Sequence, residues 1–183
     1  MPLRRETPTF AEPVPDRQTV TPAGERVDPL PAGVRFHDVV THVDDRGSVC
    51  EMFDPRWRWH SEPLVFVYTF TVRPGWVKGW GMHRRHEDRY FLLSGEMEVV
   101  LYDGREDSPT RGIVAKVVLS HYRRRLMNIP SGVWHADHNI GATDCVVVNF
   151  PTIQYDHAAP DKVRLPLDTD QIPYRFEQAR GGW

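Results

Sequence analysis

With 183 residues, 40% of them hydrophobic and 26% charged, the chain has the size of one domain with a core that can be buried. A formal net charge of −2 argues against the basic face that nucleic-acid binding needs. No run approaches the ~18 apolar residues of a membrane span. Arg4 and Arg5 are followed by no apolar stretch, so the N-terminus does not read as a signal peptide. Cys50 and Cys145 make neither a CxxC pair nor a disulfide framework, which suits free thiols in a reducing compartment, and a cytoplasmic location is the expectation.

Seven of the 16 prolines fall within the first 31 residues, among Glu, Asp, Thr and Arg. Such a segment cannot bury enough apolar surface to offset its ordering entropy. Residues 1–33 therefore read as an extended arm, ordered only where it docks, and 34–183 as a single β domain. Short runs rich in Val, Phe and Tyr follow: 34–43, 47–53, 64–72, 90–93, 96–102, 113–119, 126–129 and 145–150. Glu96 to Tyr102 partly alternates polar and apolar, as a strand with one wet face does. Turn chemistry separates the runs at Asp44–Gly47, Ser94–Gly95, Asp103–Gly104 and Pro130–Gly132. Arg123, Arg124 and Arg125 read as a solvated strand entrance or a small anion site. The tail after Asp156, with Pro160, Pro166 and Pro173, reads as loop that wraps the domain. No stretch carries a helical stripe, and many short strands at near-regular spacing predict an all-β sandwich or closed barrel.

Three stretches carry the chemistry. Asp45-Arg-Gly-Ser-Val-Cys-Glu51 brings Arg46 and Glu51 near one strand. Trp80-Gly-Met-His83 leads through Gly95 to Tyr102-Asp-Gly-Arg105 and Ser108-Pro-Thr-Arg-Gly112. Asn128-Ile-Pro-Ser-Gly-Val-Trp-His135 also fits the second cupin signature, ending at Asn139. In order and spacing, from about Phe36 to Phe176, these segments resemble the dTDP-4-dehydrorhamnose 3,5-epimerase family. The resemblance implies a cupin β-barrel (a double-stranded β-helix or jelly roll), a homodimer, no cofactor, and a nucleotide-linked 4-keto-6-deoxysugar as substrate. It also implies proton removal and return next to a ketone, through an enolate.

The resemblance places the catalytic base at His83, its supporting carboxylate at Asp168 and a second active-site histidine at His135. Arg46 and Glu51 match residues that hold the substrate, often across a dimer interface. Three positions depart from the family. Asn149 stands where the acid is a tyrosine, and an amide is no acid at neutral pH; Tyr155 or Tyr102 could serve instead. Asp88, or Arg89 if the register slips by one, stands at the family's lysine. Trp80 stands at its arginine, with Lys78 close by. Lys78, Trp80, Arg89 and Asn149 are thus expected to contact substrate. Alternative readings are a sugar ketoisomerase on the same scaffold, a non-catalytic sugar-nucleotide binder, and a metal-dependent cupin. In the last, His83, Asp88 and His135 would be the ligands, with His86 as a spare. Of the other tryptophans, Trp134 adjoins a key histidine, and Trp57, Trp59 and Trp76 read as core or rim.

Overall fold

The computed structural model describes residues 11–177 and 180–182. The first ten residues of the expected arm lie outside that range. Within it, the strands in chain order are β1 (Arg35–Asp38), β2 (Thr41–Asp44), β3 (Gly47–Cys50), β4 (Tyr68–Val72), β5 (Trp76–His83), β6 (Asp88–Ser94) and β7 (Glu96–Asp103). Then come β8 (Val114–Ser120), β9 (Arg125–Ile129), β10 (Val133–Asn139), β11 (Cys145–Asn149), β12 (Lys162–Arg164) and β13 (Arg180–Gly181). No helix among the described residues is long and apolar enough to cross a membrane.

Two sheets face each other, one ordered β1-β9-β6-β11-β4 and the other β12-β5-β10-β7-β8, with β13 added parallel to the start of β5. Every other pairing within them is antiparallel. This is the expected all-β jelly-roll barrel. Between the sheets lie Leu92, Met97, Val99, Leu101, Val117, Leu119, Met127, Ile129 and Val147, all buried. A second apolar layer forms on the outside of the β5-containing sheet. There Val77, Trp80, Val100 and Ala136 are covered by Leu165, Leu167, Ile172, Tyr174 and Phe176 of the C-terminal tail. The proline-rich tail thus wraps the barrel, as its sequence predicts, but it also contributes β12 to a sheet edge.

The Asp103 to Thr110 segment is scaffold. Its three side chains converge on the Asp103 carboxylate: Arg105 Nη2 donates at 2.7 Å, Ser108 Oγ at 2.6 Å and Thr110 Oγ1 at 2.6 Å. Burial works to raise the Asp103 pKa, but these donors outweigh it and hold the carboxyl well below its ordinary value. The same residues pin the end of the arm. Arg105 Nη2 donates to the Ala32 carbonyl at 2.8 Å, and Thr110 Oγ1 accepts from the Ala32 N–H at 2.7 Å. The β2–β3 hairpin stands apart as its own two-stranded sheet, with Val43 77% and Val49 66% exposed.

Candidate functional site

The polar groups of the barrel interior come from strands whose inward face gives up apolar side chains. β5 pairs with β10 on one side and with β12 on the other. A register shift sets three steps of β5, from Lys78 to Gly81, against two steps of β10, from Asp137 to His135. Such a bulge re-aims side chains across the pleat. It lets both Lys78 and His83 address the interior while Trp80 packs outward.

His83, Asp88 and His135 meet there, at 7%, 1% and 2% relative exposure. The Asp88 Oδ2 atom lies 3.2 Å from His83 Nε2 and 3.5 Å from His135 Nε2. None of these three atoms makes an aligned hydrogen bond. His135 Nδ1 lies 3.3 Å from the Val133 carbonyl, and donating to it leaves the lone pair on Nε2. Burial pushes the His135 pKa down to about 3, against the pull of Asp88. Burial also works against the charge of Asp88. The surrounding His83, His86 and His135 nonetheless keep its pKa well below the ordinary carboxylate value. The His86 ring lies against His83, tilted by 33° with centroids 3.8 Å apart, and its Nδ1 lies 3.0 Å from Asp161 Oδ2.

The other Asp88 oxygen is held from within its own sheet, by the neighbouring strand β11. Asn149 Nδ2 donates to Asp88 Oδ1 at 2.7 Å and to the Tyr68 hydroxyl at 2.9 Å. Asn149 Oδ1 accepts from the backbone N–H of Arg89 at 3.0 Å. A backbone N–H can only donate, so this contact settles which end of the amide faces Asp88.

A cavity of about 440 Å³ opens between the sheets, lined by Tyr68, Phe70, Lys78, Gly79, Tyr90, Asp137, Lys162, Arg164 and Gly182, of which Tyr90 and Lys162 adjoin His135 behind the wall. Tyr90 lies 3.5 Å from Asp137 Oδ2. Burial raises the Asp137 pKa to about 7, and Asp137 Oδ1 has no partner. Lys162 is the strand partner of His83 and runs over Gly81. A Cβ at Gly81 would sit 2.4 Å from Lys162 Cε and 3.0 Å from its Nζ, with His135 Nε2 at 3.7 Å. The glycine makes room for an ammonium beside the histidines. No carboxylate among the described residues pairs with Lys162 or Lys78 at ion-pair distance.

Several expected contacts differ. Asp168 is exposed in a surface hollow with Leu167, Arg175 and Phe176, and the carboxylate beside His83 is Asp88. Arg89 is fully buried and spends its guanidinium on the carbonyls of Phe150, Glu62, Pro63 and Pro151. A substrate has no access to it. Trp80 is likewise fully buried on the outer face, against Tyr174 and Phe176. Arg46 pairs with Asp44 at the exposed turn of the β2–β3 hairpin, and Glu51 follows β3, also exposed. Tyr102 joins the outer apolar layer, and Tyr155 is half exposed against His157. Lys162, Asp137, Tyr90 and Tyr68 were not anticipated. For Lys162 the available signal was the polar-apolar-polar Lys162-Val163-Arg164, obscured by flanking prolines.

No family model matches the chain. The probable low-salt glycan biosynthesis epimerase Agl13 of Haloferax volcanii is 34% identical over 137 residues, spanning 74% of this chain and 87% of the relative. The spore coat polysaccharide biosynthesis protein SpsL of Bacillus subtilis is 31% identical over 146 residues, spanning 79% and 95%. Among solved structures, a dTDP sugar isomerase from Desulfovibrio desulfuricans G20 is 30% identical, with a TM-score of 0.73 over 79% of this chain and 90% of its own. A double mutant of ChmJ, a 3'-monoepimerase from Streptomyces bikiniensis, superposes with a TM-score of 0.73 over 84% of this chain and 81% of its own. At 19% identity that is a likeness of fold.

Proposed function

The chain belongs to the dTDP-4-dehydrorhamnose 3,5-epimerase family, and on that premise we propose that it epimerises a nucleotide-linked 4-keto-6-deoxysugar, with His83 as the base. The observation that carries this reading is the buried His83–Asp88 contact, whose neighbours Tyr90 and Lys162 wall a cavity between the two sheets. Asp88 supports the imidazole in the way the family's aspartate does. It favours a proton on Nε2, leaves the Nδ1 lone pair as base, and stabilises the cation that forms. The enolate oxygen needs positive charge, and Lys162 and Lys78 supply it from the cavity wall. His135 adds a polar contact from β10.

The exposed valines of the β2–β3 hairpin support a homodimer, in which Arg46 and Glu51 would reach the partner's cavity. Sedimentation as a monomer at micromolar concentration would remove that part. The reaction is tested by incubating keto-sugar nucleotides in deuterated water and reading mass shift and product configuration. Epimerisation gives a deuterated, inverted sugar. A ketoisomerase returns the proton elsewhere, and a pure binder gives no exchange.

One observation favours a second reading. His83 Nε2, Asp88 Oδ2 and His135 Nε2 lie within 4.8 Å of one another, buried and without hydrogen bonds, as ligands of a common centre would. Two imidazoles and a carboxylate suit iron, zinc or manganese. When bound there, such an ion supplies Lewis-acid stabilisation of an enolate oxygen. His83 is then a ligand, and the base lies elsewhere. Elemental analysis and chelation decide: about one metal per chain, with exchange lost on chelation, selects this reading over a free His83.

A further inference from the structure

The family's acid is a tyrosine, and its position here is Asn149, which cannot donate a proton as an acid. Tyr68 is the antiparallel Cα partner of Asn149, one strand over on β4. Opposed residues in an antiparallel pair point to the same face with Cβ atoms about 5 Å apart. Tyr68 accordingly lines the cavity with Lys162 and Asp137, and its hydroxyl accepts from Asn149 Nδ2 at 2.9 Å. The hydroxyl's own proton has no acceptor among the described residues. It is free for a ligand in the cavity.

Two further features set Tyr68 opposite the base. Tyr68 and Asn149 belong to the β4-containing sheet, whereas His83 and Lys162 belong to the facing one. The Asp88 carboxylate lies between them, with Oδ1 toward Asn149 and Oδ2 toward His83.

We propose that Tyr68 is the acid that returns a proton to the sugar carbon on the face opposite His83. The inference rests on the epimerase reading above. His83 takes the proton, and the C–H electron pair passes into the enolate. The carbon then takes the Tyr68 proton on its other face as the C=C pair forms the new C–H bond. His83 is left protonated and Tyr68 as a phenolate, which the Asn149 N–H stabilises until water resets both. Burial raises the Tyr68 pKa, so the phenol is protonated when the sugar arrives. Asn149 thus supports the acid from the place the acid has left.

The test is Tyr68→Phe on the keto-sugar nucleotide that the wild type epimerises, in deuterated water. Inversion is expected to fall about a hundred- to ten-thousand-fold. Deuterium wash-in at the carbon served by His83, with configuration retained, persists, and dTDP binds with unchanged affinity by calorimetry. Adding Asn149→Tyr to Tyr68→Phe is expected to recover part of the inversion. A Tyr68→Phe enzyme that inverts at the wild-type rate overturns the proposal. Loss of wash-in together with inversion also overturns it, because Tyr68 then serves the His83 step. A wild type that exchanges no keto-sugar removes the epimerase reading itself, and this inference with it.

Discussion

Replacing Arg89 by lysine separates a structural arginine from a substrate-binding one. The guanidinium reaches Phe150 O at 2.5 Å, Glu62 O at 2.8 Å, Pro63 O at 2.9 Å and Pro151 O at 3.3 Å. A lysine brings one nitrogen in place of three and cannot span these carbonyls. Glu62 and Pro63 are exposed residues and regain water, so the cost concentrates on Phe150 and Pro151, which are buried. At about 1–3 kcal/mol for each buried acceptor left unpaired, Arg89→Lys should cost about 2–6 kcal/mol. In a chain of this length each kcal/mol lowers Tm by about 2–4 °C, so a fall on the order of 10 °C is expected by thermal denaturation. Affinity for dTDP should hold, since the guanidinium faces no cavity. A variant that melts with the wild type but binds dTDP tenfold more weakly would show that Arg89 contacts substrate.

Gly81→Ala places a methyl group against Lys162 without straining the backbone, because the collision is with the side chain alone. It and Lys162→Met should each lower kcat about a hundred- to a thousand-fold. The double variant should be no worse than either alone, and additive losses would separate the two residues. Asp137 keeps its proton in the fold up to about pH 7, while an unfolded aspartate loses it near 4. Between those values the folded state binds the extra proton, so this group's contribution to stability is lost as pH rises. Urea unfolding of Asp137→Asn should show a shallower decline from pH 5 to 7.5 than the wild type, and equal slopes would contradict the buried, protonated carboxyl. Asp168→Asn, at an exposed site, should leave proton exchange within a factor of about two, since substitutions at such positions usually change little.

The barrel was legible because most of its strands show the pattern of a buried face. The runs at 96–102, 113–119, 126–129 and 145–150 coincide with β7, β8, β9 and β11 to within a residue or so. The strands that carry the site were the hardest to see. Trp76-Val-Lys-Gly-Trp-Gly-Met-His83 is broken by two glycines and a bulge, and Val133-Trp-His-Ala-Asp-His-Asn139 turns polar groups inward. A strand whose inner face lines a polar cavity loses the apolar alternation by which strands are recognised. His83 and His135 were singled out through motif spacing instead, and the structure brings the two together around Asp88. The partnership with Asp168 failed because spacing along the chain does not report which carboxylate shares an interior. Tyr68 and Lys162 escaped for a related reason: each is defined by its partner across a strand pair, Asn149 and His83, and the linear sequence does not show that pairing.

Solvent-proton exchange by the His83→Asn and Asp88→Asn variants tests the central claim most directly. On the substrate that the wild type epimerises in deuterated water, His83→Asn should lose about a hundred- to ten-thousand-fold in exchange while dTDP affinity stays level. Asp88→Asn should lose less, because the imidazole survives and only its orientation and the stabilisation of its cation suffer. Near-normal exchange in His83→Asn would contradict the account and make His83 a structural histidine of the barrel.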